Sequence, residues 1–152
     1  MDQDAELLER AIALACLAHR GQRYPSPDRE PYIHHPLRVM LAVRGFRTQM
    51  AAVLHDVLED TQVGLDQLRQ ADIPECVLDA VVALTHEIGY TYEQYIEQVA
   101  GNEIARLVKL ADLADNLANN LRLAGTPEVL ARIDRYQRAQ NRLDKTDTPV
   151  LA

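Results

Sequence analysis

A chain of 152 residues, 47% hydrophobic and 26% charged, has room for one folded domain with a sizeable core. Its net charge of −7 comes without a basic stripe, which argues against a nucleic-acid polymer as partner, and no apolar run reaches the length of a membrane span. A small anionic ligand stays compatible with that charge, because a cation and a few local Arg or Lys residues can hold one.

The acidic start from Met1 to Glu6 lacks a signal-peptide pattern and points to a cytoplasmic protein. Ala and Leu recur at helical spacing, and Val, Ile and Thr never form an alternating run, so the chain reads as all-α. One domain is expected over 1–144, with a flexible tail over 145–152.

A first helix is expected from Asp4 to His19, ended by Gly21, with Leu7, Leu8, Ala11, Leu14, Ala15 and Ala18 inward. His19 lies beside that stripe as a hydrogen-bonded core histidine. Three prolines make Gly21 to Ile33 a loop. Its Arg23 and Tyr24 suit anion contact and stacking, and a plain surface connector has the same composition.

Pro36 opens a second helix, packed by Leu37, Val39, Met40 and Leu41 and ending near Arg44. His34 and His35 are adjacent and point apart, so at most one serves a given site. Thr48 is expected to cap a central helix that runs unbroken to Asp60. Short helices follow at Leu65–Gln70, Pro74–His86 (with Val77, Leu78, Val81, Val82 and Leu84 as core) and Thr91–Val99. The last two are Glu103–Leu123 and Glu128–Leu143. Arg132, Arg135, Tyr136 and Arg138 give the final helix a locally basic face. Cys16 and Cys76 have no C-x-x-C partner and read as buried, reduced thiols.

The central run carries the chemistry. On a helical wheel with His55 at zero, Glu59 falls at about 40°, Asp56 at about 100° and Asp60 at about 140°. Leu54, Val57 and Leu58 occupy the opposite side. A carboxylate taken out of water without a partner costs several kcal/mol, so three of them in an oily segment call for water or a bound cation. The apolar flanks Ala51–Leu54 and Val57–Leu58 favour the cation. Lys109, Asp112 and Asn116 form a second polar stripe, which alone is an ordinary intrahelical set. Imidazole and oxygen ligands together suit Mn²⁺, Fe²⁺ or Zn²⁺ better than Ca²⁺.

The order His35, His55-Asp56, Asp112 resembles the H…HD…D signature of the HD-domain metal phosphohydrolases. Four stretches resemble the hydrolase domain of the RelA/SpoT family more closely, and its small single-domain alarmone hydrolases most of all. They are Ala18–Gln22, Pro31–Pro36, Ala51–Thr61 and Val108–Asp112, and the resemblance extends over 7–117. It implies an HD-domain helical bundle in which His35, His55, Asp56 and Asp112 bind one divalent ion, Mn²⁺ first. It further implies that Glu59 and Asp60 position and deprotonate the attacking water, while the metal lowers that water's pKa.

The implied reaction removes the 3′-pyrophosphate of guanosine tetra- or pentaphosphate. Asn116 would contact ribose or phosphate, Tyr32 and His19 would support the site, and Tyr136 with its neighbouring arginines would reach the phosphates by a looser match. Lys109, Arg23 and Tyr24 complete the expected substrate contacts.

The chain departs from the family pattern at Arg23-Tyr24-Pro25, where basic residues usually stand, and at Leu113, where one usually follows the last ligand. These departures motivate a second reading, an HD nucleotidase or phosphatase acting on another nucleotide such as NADPH. A third is a nucleotide-binding regulatory module without catalysis. Composition does not give the oligomeric state.

Overall fold

The computed structural model describes residues 2–145; the tail expected beyond Lys145 lies outside the described residues. Among the described residues nine helices follow in order: α1 (Gln3–Ala18), α2 (His34–Ala42), α3 (Phe46–Leu54), α4 (Val57–Asp60), α5 (Leu65–Gln70), α6 (Glu75–Ala83), α7 (Tyr92–Ala100), α8 (Glu103–Arg122) and α9 (Pro127–Asp144). Apart from one isolated bridge, Arg23 to Pro31, no β pairing occurs among the described residues. No described helix is long and apolar enough to cross a membrane.

Side-chain caps define several starts. Asp2 accepts from the Asp4 N–H, Thr91 from Gln94, Asn102 from Ala105 and Thr126 from Val129, with Pro127 at the first position of α9. The centre is α3. Met50 to Leu54 are fully buried, and the helix packs against α1, α2, α6 and α8. At roughly 1.5–3 kcal/mol per buried apolar side chain, this segment anchors the domain. The long α8 also touches α2, α7 and α9, and its middle meets the start of α2 and the end of α3.

Several expectations change. The central helix is not continuous: it breaks at His55-Asp56, and α4 restarts at Val57. It begins at Phe46, after Gly45 turns the chain at φ 88, so Thr48 lies inside the helix and caps nothing. The second helix starts at His34, which moves Pro36 inward from the first position. Leu41 (75% exposed) and Val82 (40%) face outward, beyond the arc that α3 and the core cover. Cys16 is exposed, one step off the buried Leu7–Ala11–Ala15 stripe, and Cys76 is half-buried.

Candidate active site

The break after Leu54 places both halves of the His55-Asp56 pair in one centre. His35 enters from the first turn of α2 and Asp112 from the middle of α8. His35 Nε2 lies 2.9 Å from Asp112 Oδ1 and 3.7 Å from Asp56 Oδ2. His55 Nε2 lies 3.0 Å from Asp56 Oδ2 and 3.4 Å from Asp112 Oδ1. His35, His55 and Asp112 are each at most 3% exposed.

The outer nitrogen of each imidazole is occupied. His55 Nδ1 donates to the Ala52 carbonyl at 2.6 Å, and His35 Nδ1 meets Asp115 Oδ2 at 2.6 Å. Both Nε2 lone pairs can therefore face the centre once the rings are neutral, the usual way a protein sets a histidine ligand. His55 Nε2 is buried and makes no well-directed hydrogen bond, although Asp56 Oδ2 lies 3.0 Å away. Two imidazoles and two carboxylates around that atom fit a divalent cation.

Electrostatics agree. Burial opposes charge on His55, but Asp56 and Asp112 outweigh it and raise its pKa well above the ordinary value. His35 moves the same way, against burial, through Asp112 and Asp115. Burial would raise Asp56, yet His55 and His35 hold it down to about 2.

Around this centre the wall is built in layers. The Tyr32 hydroxyl donates to Asp56 Oδ2 at 2.5 Å. Tyr24, 3% exposed, stacks on His35 with centroids 4.9 Å apart, and its hydroxyl donates to Asn116 Oδ1 at 2.7 Å. Asn116 Nδ2 in turn donates to Asp112 Oδ1 at 2.9 Å. Lys109 Nζ donates to Asp112 Oδ2 at 2.8 Å and lies over the Tyr95 ring.

Loss of the Tyr32 hydroxyl tests this layer. Tyr32→Phe is expected to weaken Mn²⁺ binding by about 10–100-fold while the fold persists, read by metal titration.

A cavity of about 640 Å³ opens over the centre. Glu59, Asp60, Tyr92, Arg135 and Tyr136 are among the residues that line it. Burial first, then Asp56 and Glu59, raise the Asp60 pKa to about 6. The main chain of Asp60 is held by Gln22, which also binds His19 Nδ1 at 2.7 Å; His19 is buried against Tyr32. Glu59 accepts the His86 N–H at 2.9 Å, and the turn over 86–90 forms part of the cavity wall.

Comparison with known proteins adds the lineage. No protein-family model matches the chain. It is 37% identical over 122 residues to a GTP pyrophosphokinase of Streptomyces coelicolor, covering 72% of this chain but only 14% of that protein. Against the mouse guanosine-3′,5′-bis(diphosphate) 3′-pyrophosphohydrolase MESH1, identity is 32% over 146 residues, covering 90% of this chain and 82% of the relative. The chain belongs to the MESH1-type pyrophosphohydrolase family. A solved structure of a metazoan ortholog of SpoT, reported to hydrolyse ppGpp, superposes with a TM-score of 0.78 at 26% identity over 93% of this chain and 88% of that one.

Within this MESH1-type chain the expected contacts divide. His35, His55, Asp56, Asp112, Glu59, Asp60, Tyr32, Lys109, Asn116 and Tyr136 all line the one cavity. Arg23 is exposed and lies outside it, in a surface hollow with Cys16 and Arg20, because its main chain is tied to Pro31. Tyr24 is behind the wall and braces His35. Leu113 is fully buried in the core.

No local pattern singles out Asp115, which holds His35 and is itself gripped by Arg38 (Nε to Oδ1, 2.7 Å). Arg38 also pairs with Glu30, and Glu30 with His34. Only the meeting of α2 and α8 reveals this chain, since 77 or more residues separate its ends.

Proposed function

We propose that this protein is a metal-dependent phosphohydrolase that removes the 3′-pyrophosphate from guanosine 3′,5′-bis(diphosphate) and its pentaphosphate counterpart. The observation that carries this reading is the convergence of His35, His55, Asp56 and Asp112 beside the carboxylates of Glu59 and Asp60 in a cavity of nucleotide size. Those four residues would hold one divalent cation, Mn²⁺ in our reading, which when bound supplies Lewis acidity toward a phosphoryl oxygen and a water of lowered pKa.

The chain's own residues do the rest. Asp60 accepts a proton from the attacking water, and Glu59, fixed by the His86 N–H, orients that water. The water oxygen bonds to the phosphorus attached to the 3′ oxygen. That P–O bond breaks, and the leaving 3′ oxygen takes up a proton, giving pyrophosphate and GDP from the tetraphosphate or GTP from the pentaphosphate. Asn116, Lys109 and Tyr136 line the path of the nucleotide.

A general base must be ionised to act, so kcat/KM is expected to fall tenfold per pH unit on the acid side of Asp60's titration, near pH 6 or below when the cation is bound, and to flatten above it. A pH–rate profile of Asp60→Asn should lack that limb.

One observation favours a second reading with the same centre and another nucleotide: Arg23 lies outside the cavity and the position after Asp112 is a buried leucine. Incubation with Mn²⁺ and a nucleotide panel decides. Pyrophosphate from guanosine tetraphosphate supports the first reading; orthophosphate from NADPH, with the tetraphosphate untouched, replaces it with the second.

A further inference from the structure

The two imidazoles of the centre are held in different ways. His55 Nδ1 donates to the Ala52 carbonyl, three residues earlier, so nearby main chain sets that ring. His35 Nδ1 meets a side chain 80 residues away, Asp115 Oδ2, at 2.6 Å. Tyr24 stacks on the face of the His35 ring, and Asp115 fixes its edge.

Asp115 is fixed in turn. Arg38 donates from Nε to Oδ1 at 2.7 Å and from Nη2 to Oδ2 at 3.1 Å, a two-point fork. Its remaining nitrogen, Nη1, meets Glu30 Oε1 at 2.7 Å. All three guanidinium nitrogens are thus spent on carboxylates, although the side chain is 40% exposed. An exposed ion pair by itself contributes little to stability. What sets this one apart is its inner end, which rests on the edge of a buried imidazole.

The chemistry of that end follows from what each atom can do. A carboxylate accepts and does not donate, so the hydrogen of the bond at Nδ1 belongs to His35. In the neutral ring Nε2 then carries the lone pair, and Nε2 is the atom beside Asp56 and Asp112. A charged acceptor at Nδ1 also makes the imidazole a stronger ligand. Neither Asp115 nor Arg38 lines the cavity, so both act from behind its wall.

We propose that Asp115 and Arg38 are positioning residues of the cation centre: Asp115 keeps the His35 hydrogen on Nδ1 and the Nε2 lone pair inward, and Arg38 acts through Asp115. This rests on the metal-dependent reading above, and it gives a role to two residues outside the ligand set.

The test reads the rings directly. Imidazole and oxygen ligands also accept Co²⁺. In Co²⁺-loaded protein the N–H hydrogens of ligating imidazoles shift far outside the ordinary proton NMR range, and they vanish in D₂O. Wild type should show two such resonances, one per histidine. Asp115→Leu should lose one of them to exchange with water and keep the other, while its Mn²⁺ affinity falls about 10–100-fold. Asp115→Asn keeps an acceptor without the charge, so both resonances should persist with one displaced, and Mn²⁺ should bind about 3–10-fold more weakly. Arg38→Gln should weaken Mn²⁺ by about 3–10-fold in the wild-type background and by less than about twofold in Asp115→Leu, because its effect passes through Asp115.

Wild-type Mn²⁺ affinity in Asp115→Leu, or a lowered affinity with both resonances in place, overturns the role of Asp115. If Asp115→Leu did not fold, Asp115→Asn would decide: unmoved resonances and unchanged affinity overturn it equally. Equal losses from Arg38→Gln in both backgrounds overturn the role of Arg38. A wild type with no shifted resonance would remove the cation centre and this role with it. A wild type with both resonances that released no pyrophosphate from guanosine tetraphosphate would remove only the reaction, and the variants would still decide the positioning.

Discussion

His55→Ala is expected to lower kcat/KM for pyrophosphate release by on the order of 10³ or more, and to weaken Mn²⁺ binding with it. In the function proposed above, His55 is one of four ligands, and removing its imidazole would forfeit several kcal/mol of transition-state stabilisation that depends on the ion.

A second signature separates this from simple unfolding. In the metal-free protein, Asp56 and Asp112 hold protons on His55 and His35, against the pull of burial. A group whose folded pKa is raised stabilises the fold below its unfolded value of about 6.5, and that contribution fades as pH rises through the folded value. Metal-free stability should therefore decline on the alkaline side of neutrality.

Mn²⁺ must displace those protons, so its binding should tighten with pH. Calorimetry in two buffers of different ionisation heat should register proton release, and His55→Ala should release fewer. A variant that kept wild-type Mn²⁺ affinity and rate would remove His55 from the centre.

The residues of this centre were legible in the chain because acid in an oily segment has few physical explanations. Their arrangement was not. A continuous helix would put Asp56 about 100° from His55 and turn it aside. The backbone instead leaves the helix at those two residues, and α4 begins anew at Val57. Nothing in the local composition signals that break: Leu54 to Leu58 contains neither glycine nor proline. At the break, His35 from α2 and Asp112 from α8 pack against His55.

The same limit explains Thr48. Its capping propensity is real, but Gly45 can take φ 88 and turns the chain three residues earlier. It explains Tyr24 as well, which reads as a loop aromatic for a ligand. In the fold its ring covers His35 and its hydroxyl reaches Asn116, 92 residues away. Helix types and the polar residues follow periodicity; which polar residues touch follows packing between distant helices.

Lys109→Met tests how the acid is tolerated before any ion binds. Lys109 Nζ is 2.8 Å from Asp112 Oδ2, with side chains 12% and 5% exposed. Burial would raise the Asp112 pKa, and Lys109 is the strongest influence holding it well below the ordinary value. Breaking a buried pair by removing one partner costs about 3–5 kcal/mol, because the other charge stays behind. For a domain of this size that corresponds to a fall in Tm of roughly 6–20 °C in the metal-free protein.

The sign with pH is fixed. An acid whose folded pKa is depressed stabilises above its unfolded value of about 4, and that stability is lost as pH falls toward the folded value. The difference between wild type and Lys109→Met should thus be full at neutral pH and shrink in acid.

Mn²⁺ should recover much of the lost stability, since Asp112 Oδ1 faces the two imidazoles and a cation there replaces the missing ammonium. If the variant melted like wild type without metal, Asp112 would not depend on Lys109 for its charge. If it melted early and Mn²⁺ restored nothing, the cation would not reach Asp112, and the four-ligand centre would lose its α8 member.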